Sequence, residues 1–145
     1  MATRSFIMTD KHPQTHPHKR LAGVFVHWDG YPEGVGVTLA QHYTDDDKIN
    51  RLVDLRDVYS LKPEPLPPKG TRHTPEKPRE GVTVRLVRVG EPKVAGPYLL
   101  TDEAEALKHA ARMRCEYVYI RDESKPHGWR CIDFATDREV ELPVP

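Results

Sequence analysis

The sequence predicts an α+β fold, a small antiparallel sheet with three short helices packed on it. Three observations predict it. Stretches with period-two alternation occur near both ends of the chain. Three other stretches have helical spacing, two of them opening on acidic residues. Strands and helices do not alternate in the rhythm of a doubly wound sheet.

The elements follow in order. Ser5-Phe6-Ile7-Met8-Thr9 reads as a strand, followed by a polar loop from Asp10 to Arg20. Ala22 to Trp28 is the next strand, with Val24, Val26 and Trp28 on one face and Phe25 and His27 on the other. Aromatics on both faces predict a central strand, paired antiparallel with the first. A short helix is expected over 37–43. Thr44 reads as the N-cap of a second helix over 45–55, with Asp45, Asp46 and Asp47 where the helix dipole favours negative charge. Ile49, Leu52 and Val53 form its apolar stripe. A calcium loop would need alternating ligands and a fixed glycine, which this run lacks.

Six prolines fall between Pro63 and Pro78, so residues 63–80 read as an extended connector that neither helix nor central strand can cross. A loop lying along the surface fits as well as a connector, and the spacing of a polyproline docking ligand in Pro65-Leu66-Pro67-Pro68 is common by chance. Beyond it, Val82, Val84 and Leu86 alternate inward, and Pro97 to Leu100 is a short extended piece. A third helix spans 102–114, opened by an Asp102/Glu105 capping box, with Ala104, Leu107, Ala110 and Ala111 as its narrow apolar face. Cys115 to Arg121 and Trp129 to Phe134 form a hairpin, and Val140 to Val144 adds an edge. The organisation is therefore 1–62, a connector, and 81–145. The two halves form either separate sheets or one.

The totals narrow the function. Of 145 residues, 37% are hydrophobic, which predicts a modest core. The 22 basic and 22 acidic side chains cancel, whereas proteins that grip nucleic acid by its phosphates usually carry a basic surplus. No stretch approaches the ~18 apolar residues of a membrane span, and the start lacks the apolar run of a secretion signal. Cys115 and Cys131 fit a reducing cytoplasm and read as packed, unreactive thiols. Phosphate-loop, nucleophile-elbow and dinucleotide fingerprints are missing, so an enzyme is the least favoured class and no cofactor is expected.

Two kinds of candidate site remain. On the hairpin, Cys115, Tyr117, Tyr119, Trp129 and Cys131 fall opposite Val118, Ile120, Ile132 and Phe134. That ring-rich face packs on the first segment or meets a partner. Tyr117, Tyr119 and Trp129, with Trp28 and Tyr31, are the expected partner contacts. The second is the run His27-Trp28-Asp29-Gly30-Tyr31-Pro32-Glu33-Gly34-Val35-Gly36. His27, Asp29, Glu33 and His42 can serve proton transfer or hold a metal or small ligand if they converge. Asp29-Gly30 is equally a turn signal, with the glycine taking positive φ. His12, His16 and His18 are a weaker metal candidate in a proline-broken loop. Arg85, Arg88, Arg112, Arg114 and Arg130 are the candidates for a nucleic-acid face.

The run from Gly23 to Gly36, with Thr38-Leu39, His42-Tyr43-Thr44, Lys48 and the ending Leu55, Asp57, Ser60, Leu61, resembles a family of small proteins of bacteriophages, prophages and bacteria. The opening Ala2-Thr3-Arg4-Ser5 fits it, and Glu116-Tyr117-Val118-Tyr119 with Gly128-Trp129-Arg130 resembles its closing hairpin. The proline-rich middle departs from it. The resemblance implies a phage or mobile-element setting and a bacterial cytoplasmic location, and it carries no catalytic residues. The expected function is a non-enzymatic interaction protein that binds a host or phage protein, as an inhibitor of a defence system such as CRISPR–Cas would. Binding of a small molecule, nucleotide signal or metal comes second, and nucleic-acid binding third.

Overall fold

The fold comes from a computed structural model, which describes residues 2–70, 73, 77–86 and 96–144. Its centre is a pair of strands buried along their whole length, β1 (Ser5–Thr9) and β2 (Leu21–Val26). They pair antiparallel, with Ile7 opposite Val24. Period-two alternation divides them between two faces. Ile7, Val24 and Val26 point to one side, and Phe6, Met8 and Phe25 to the other.

Six further strands extend this centre into one mixed sheet. β3 (Asp57–Ser60) joins β2 in parallel, and β4 (Val84–Arg85) lines its far side. β5 (Tyr98–Leu100) also pairs with β2. On the other flank β6 (Tyr117–Arg121) runs parallel to β1, followed by β7 (Trp129–Asp133) and the edge strand β8 (Arg138–Val140). The two halves therefore share one sheet, joined where Phe6 lies beside Val118 and Ile7 beside Tyr119. The expected antiparallel sheet is corrected to a mixed one by these two parallel pairings. β3 was not foreseen: its four residues, Asp-Val-Tyr-Ser, are too short and too polar to show a strand period.

Helices cover both faces. On the first lie a π-helical turn, Pro32–Gly36, then α1 (Val37–His42) and α2 (Asp46–Val53). Val35, Leu39, Tyr43, Ile49, Leu52 and Val53 close that layer. The N-cap of α2 is Asp45 and not Thr44: its carboxylate accepts from Lys48 N at 3.2 Å. On the second face α3 (Glu103–Arg112) lies over Phe6, Met8 and Phe25. The Asp102 cap forms, accepting from Glu105 N at 2.9 Å, while the Glu105 carboxylate accepts from Thr101 N at 2.6 Å, one residue before the N-cap. Its inward stripe is Ala106 and Ala110, while Ala104 and Ala111 are exposed. His109 fills the remaining space, with its ring 5.3 Å from that of Phe6 and 4.8 Å from that of Tyr98.

The proline-rich segment folds back on the body where it is described. Pro65 is buried, and Glu64 N donates to Gly81 O at 3.0 Å while Thr83 N donates to Glu64 O at 2.8 Å. His73 bonds Thr83 O at 3.0 Å. No helix among the described residues is long and apolar enough to cross a membrane.

Candidate functional site

Beyond Val26 the chain leaves the sheet under tight control. His27 N donates to Val58 O at 2.9 Å and Trp28 N to Tyr59 O at 2.8 Å, so β3 still holds the backbone. Asp29 then takes φ 58°, the left-handed region that short polar side chains tolerate better than most. Positive φ was expected at Gly30, and the structure corrects this. Gly30 is needed for close approach: a Cβ there would stand 2.7 Å from Ser5 Cβ and 2.8 Å from Thr3 O. Its N–H donates to Thr3 O at 2.8 Å, and its carbonyl accepts from the Tyr119 hydroxyl at 2.6 Å. A Cβ on Gly34 would collide with Asp29 O, which accepts from Val35 N at 3.0 Å.

This framework leaves two rings outside. Trp28 is 43% exposed and Tyr31 38%. Together with Leu66 they are the exposed large hydrophobics among the described residues. The Tyr31 hydroxyl donates to Asp29 Oδ1 at 3.1 Å, and that carboxylate raises the phenol's pKa above its ordinary value. Tyr31 also borders a concavity of about 520 Å³ shared with Tyr117 and Phe134.

The other expected contact rings lie elsewhere. Tyr119 is fully buried and Trp129 is 3% exposed, both in the core under α1 and α2. Trp129 Nε1 donates to Tyr43 O at 2.9 Å. The hairpin's ring-rich face thus meets the first segment, because alternation that turns Val118 and Ile120 toward α3 turns Tyr119 and Cys131 toward the other layer. Tyr117, half-buried at the strand's start, is the hairpin ring that reaches the surface. Cys115 departs from the expected face: it precedes β6 and packs with Phe6 and Met8. Burial pushes both thiols up to about 12.

The polar quartet does not assemble. His27 is on the α3 side, with its ring 6.2 Å from that of Tyr59 and 4.9 Å from that of Trp28. His42 is exposed at the end of α1, on the opposite face, and Asp29 and Glu33 are exposed on the turn. Among the described residues no group of three or more His, Cys, Asp or Glu side chains is placed to hold a metal. The histidine loop is also divided. His12 is 5% exposed, with Nε2 2.6 Å from Asp54 Oδ1 and Nδ1 accepting from Gln14 N at 3.0 Å. Those partners place the proton on Nε2 and pin the loop to α2's end.

The basic residues separate as well. Arg130 is committed to Glu103 and Glu139 at 2.8 and 2.7 Å. Arg85 Nε donates to Leu55 O at 3.3 Å, and Arg88 lies outside the described residues. Arg112 and Arg114 flank a concavity of about 540 Å³ whose wall also includes Arg4, Phe25, His27 and Tyr59. Sequence reading missed Arg4 and Tyr59, because each sits far along the chain from α3 and carries no local pattern. Comparison with family models, with curated proteins and with solved structures finds no match.

Proposed function

We propose that this protein is a non-enzymatic interaction protein that docks on another protein through the Trp28–Tyr31 corner. The observation that carries this reading is the outward display of two aromatic rings, three residues apart, on a turn whose backbone is pinned to Thr3, β3 and β6. Trp and Tyr dominate binding energy at protein interfaces, and a turn already fixed loses little entropy on docking. Tyr117 extends the patch across the neighbouring concavity. The resemblance of the Gly23–Gly36 run to phage and prophage proteins adds the setting: the partner is a host or phage protein, and inhibition of a host defence system is the corresponding role.

The test is affinity capture from bacterial host lysate with wild type, Trp28→Ala and Tyr31→Ala. Partners retained by wild type and lost from both variants at unchanged melting temperature are expected. Equal capture by all three proteins would overturn the reading.

A further inference from the structure

The concavity beneath the end of α3 has a composition unlike the rest of the surface. Arg4 enters from the residue before β1, and Arg112 and Arg114 from the last turn of α3 and the residues after it. Three arginines thus line one hollow. Among the described residues none of the three is in a salt bridge and no acidic residue lines the cavity. In a chain with no net charge this is a local excess that demands an account.

A helix C-terminus attracts basic residues through its dipole, which accounts for Arg112 and Arg114 taken alone. It does not account for Arg4, which comes from another element. Nor does it account for the rings beside them. His27 and Tyr59 stand perpendicular at 6.2 Å, with the buried ring of Phe25 as the third aromatic. Arg114 is also held at φ 62°, a conformation that glycine or asparagine usually occupies at a helix end. Residues held so off their usual preference cluster at functional sites.

We propose that this cavity binds a nucleoside phosphate, with the phosphates against Arg4, Arg112 and Arg114 and the base against His27 and Tyr59. Arginine forks match phosphate oxygens in pairs, and a base has a π-face that stacks on aromatic side chains. The volume falls in the range of small-ligand pockets. Three local charges suit a di- or triphosphate. A polynucleotide would need a basic track continuing beyond the hollow. The site shares no residue with the Trp28–Tyr31 patch, so the two readings stand or fall separately.

The experiment is titration calorimetry of the whole protein with ATP, GTP, inorganic pyrophosphate and a 12-nucleotide single-stranded DNA. Trp28 fluorescence gives a second readout, since its ring lies 4.9 Å from His27. Nucleotide binding is expected to weaken as salt rises, and by about tenfold or more in Arg4→Ala and in Arg112→Ala. Tyr59→Leu should weaken ATP and GTP while leaving pyrophosphate unchanged. Melting temperatures of the variants show that they are folded. Four results would overturn the proposal: no nucleotide binding at millimolar concentration, affinity indifferent to the arginines in folded variants, pyrophosphate bound as tightly as the nucleotides, or DNA bound more than about tenfold tighter than either nucleotide.

Discussion

The hydroxyl of Tyr119, on β6, donates a 2.6 Å hydrogen bond to the carbonyl of Gly30 on the turn after β2. Both groups are buried, so each would lose water without the other. The bond fixes the aromatic corner to the second half of the chain. Tyr119→Phe should therefore destabilise the protein by about 1–3 kcal/mol, the cost of a buried carbonyl left unpaired. Urea denaturation with an unchanged m-value would verify it.

Gly30→Ala should be at least as harmful, by about 1–3 kcal/mol, because the added methyl meets Ser5 Cβ and Thr3 O. Asp29→Gly should be tolerated, since Asp29 already holds φ 58°. Thermal melts of the two variants separate close approach from left-handed conformation as the reason for the motif.

The two tryptophans should respond in opposite ways. Trp129→Ala removes a ring that is 3% exposed and should cost about 3–5 kcal/mol. Trp28→Ala removes one that is 43% exposed and should shift stability by less than about 0.5 kcal/mol. Chemical denaturation of each variant, followed by circular dichroism, gives the comparison.

Acid should weaken the fold partly through His109. Burial against Phe6 and Tyr98, with Arg112 and Arg56 nearby, lowers its pKa below the ordinary value. The unfolded chain then binds a proton that the native state refuses. Stability from this group is present above about pH 6.5 and is lost as pH falls through the folded value. His109→Gln should flatten the loss as pH falls below about 6.5, measured as melting temperature against pH.

Cys115 and Cys131, both buried and raised to about 12, should resist a thiol reagent at pH 8 in the native state. Labelling should proceed at the rate of opening and become complete in denaturant. Rapid labelling of either thiol in native protein would contradict their packing.

Much of the fold was legible because it is local. The alternation of Val24, Phe25 and Val26, the spacing of Ile49, Leu52 and Val53, and the Asp102 cap each act within a few residues, and each appears as read. The candidate site was legible only in outline. Trp129 carries the same sequence signal as Trp28, an aromatic at the end of an alternating stretch. Only their neighbours across the sheet distinguish a core ring from a surface one.

The sequence by itself determined the helices, most strands, the two faces of β2 and of most of the β6–β7 hairpin, and the turn at Asp29, because backbone preferences and hydrophobic period are properties of neighbouring residues. The tertiary structure decided what no neighbour encodes. It set the parallel seam between β1 and β6, which joins residues more than a hundred positions apart. It also buried Tyr119, left Trp28 outside, and gathered Arg4, Tyr59 and Arg112 around one hollow. Those outcomes depend on which surfaces exclude water together, and that is settled only when the whole sheet closes.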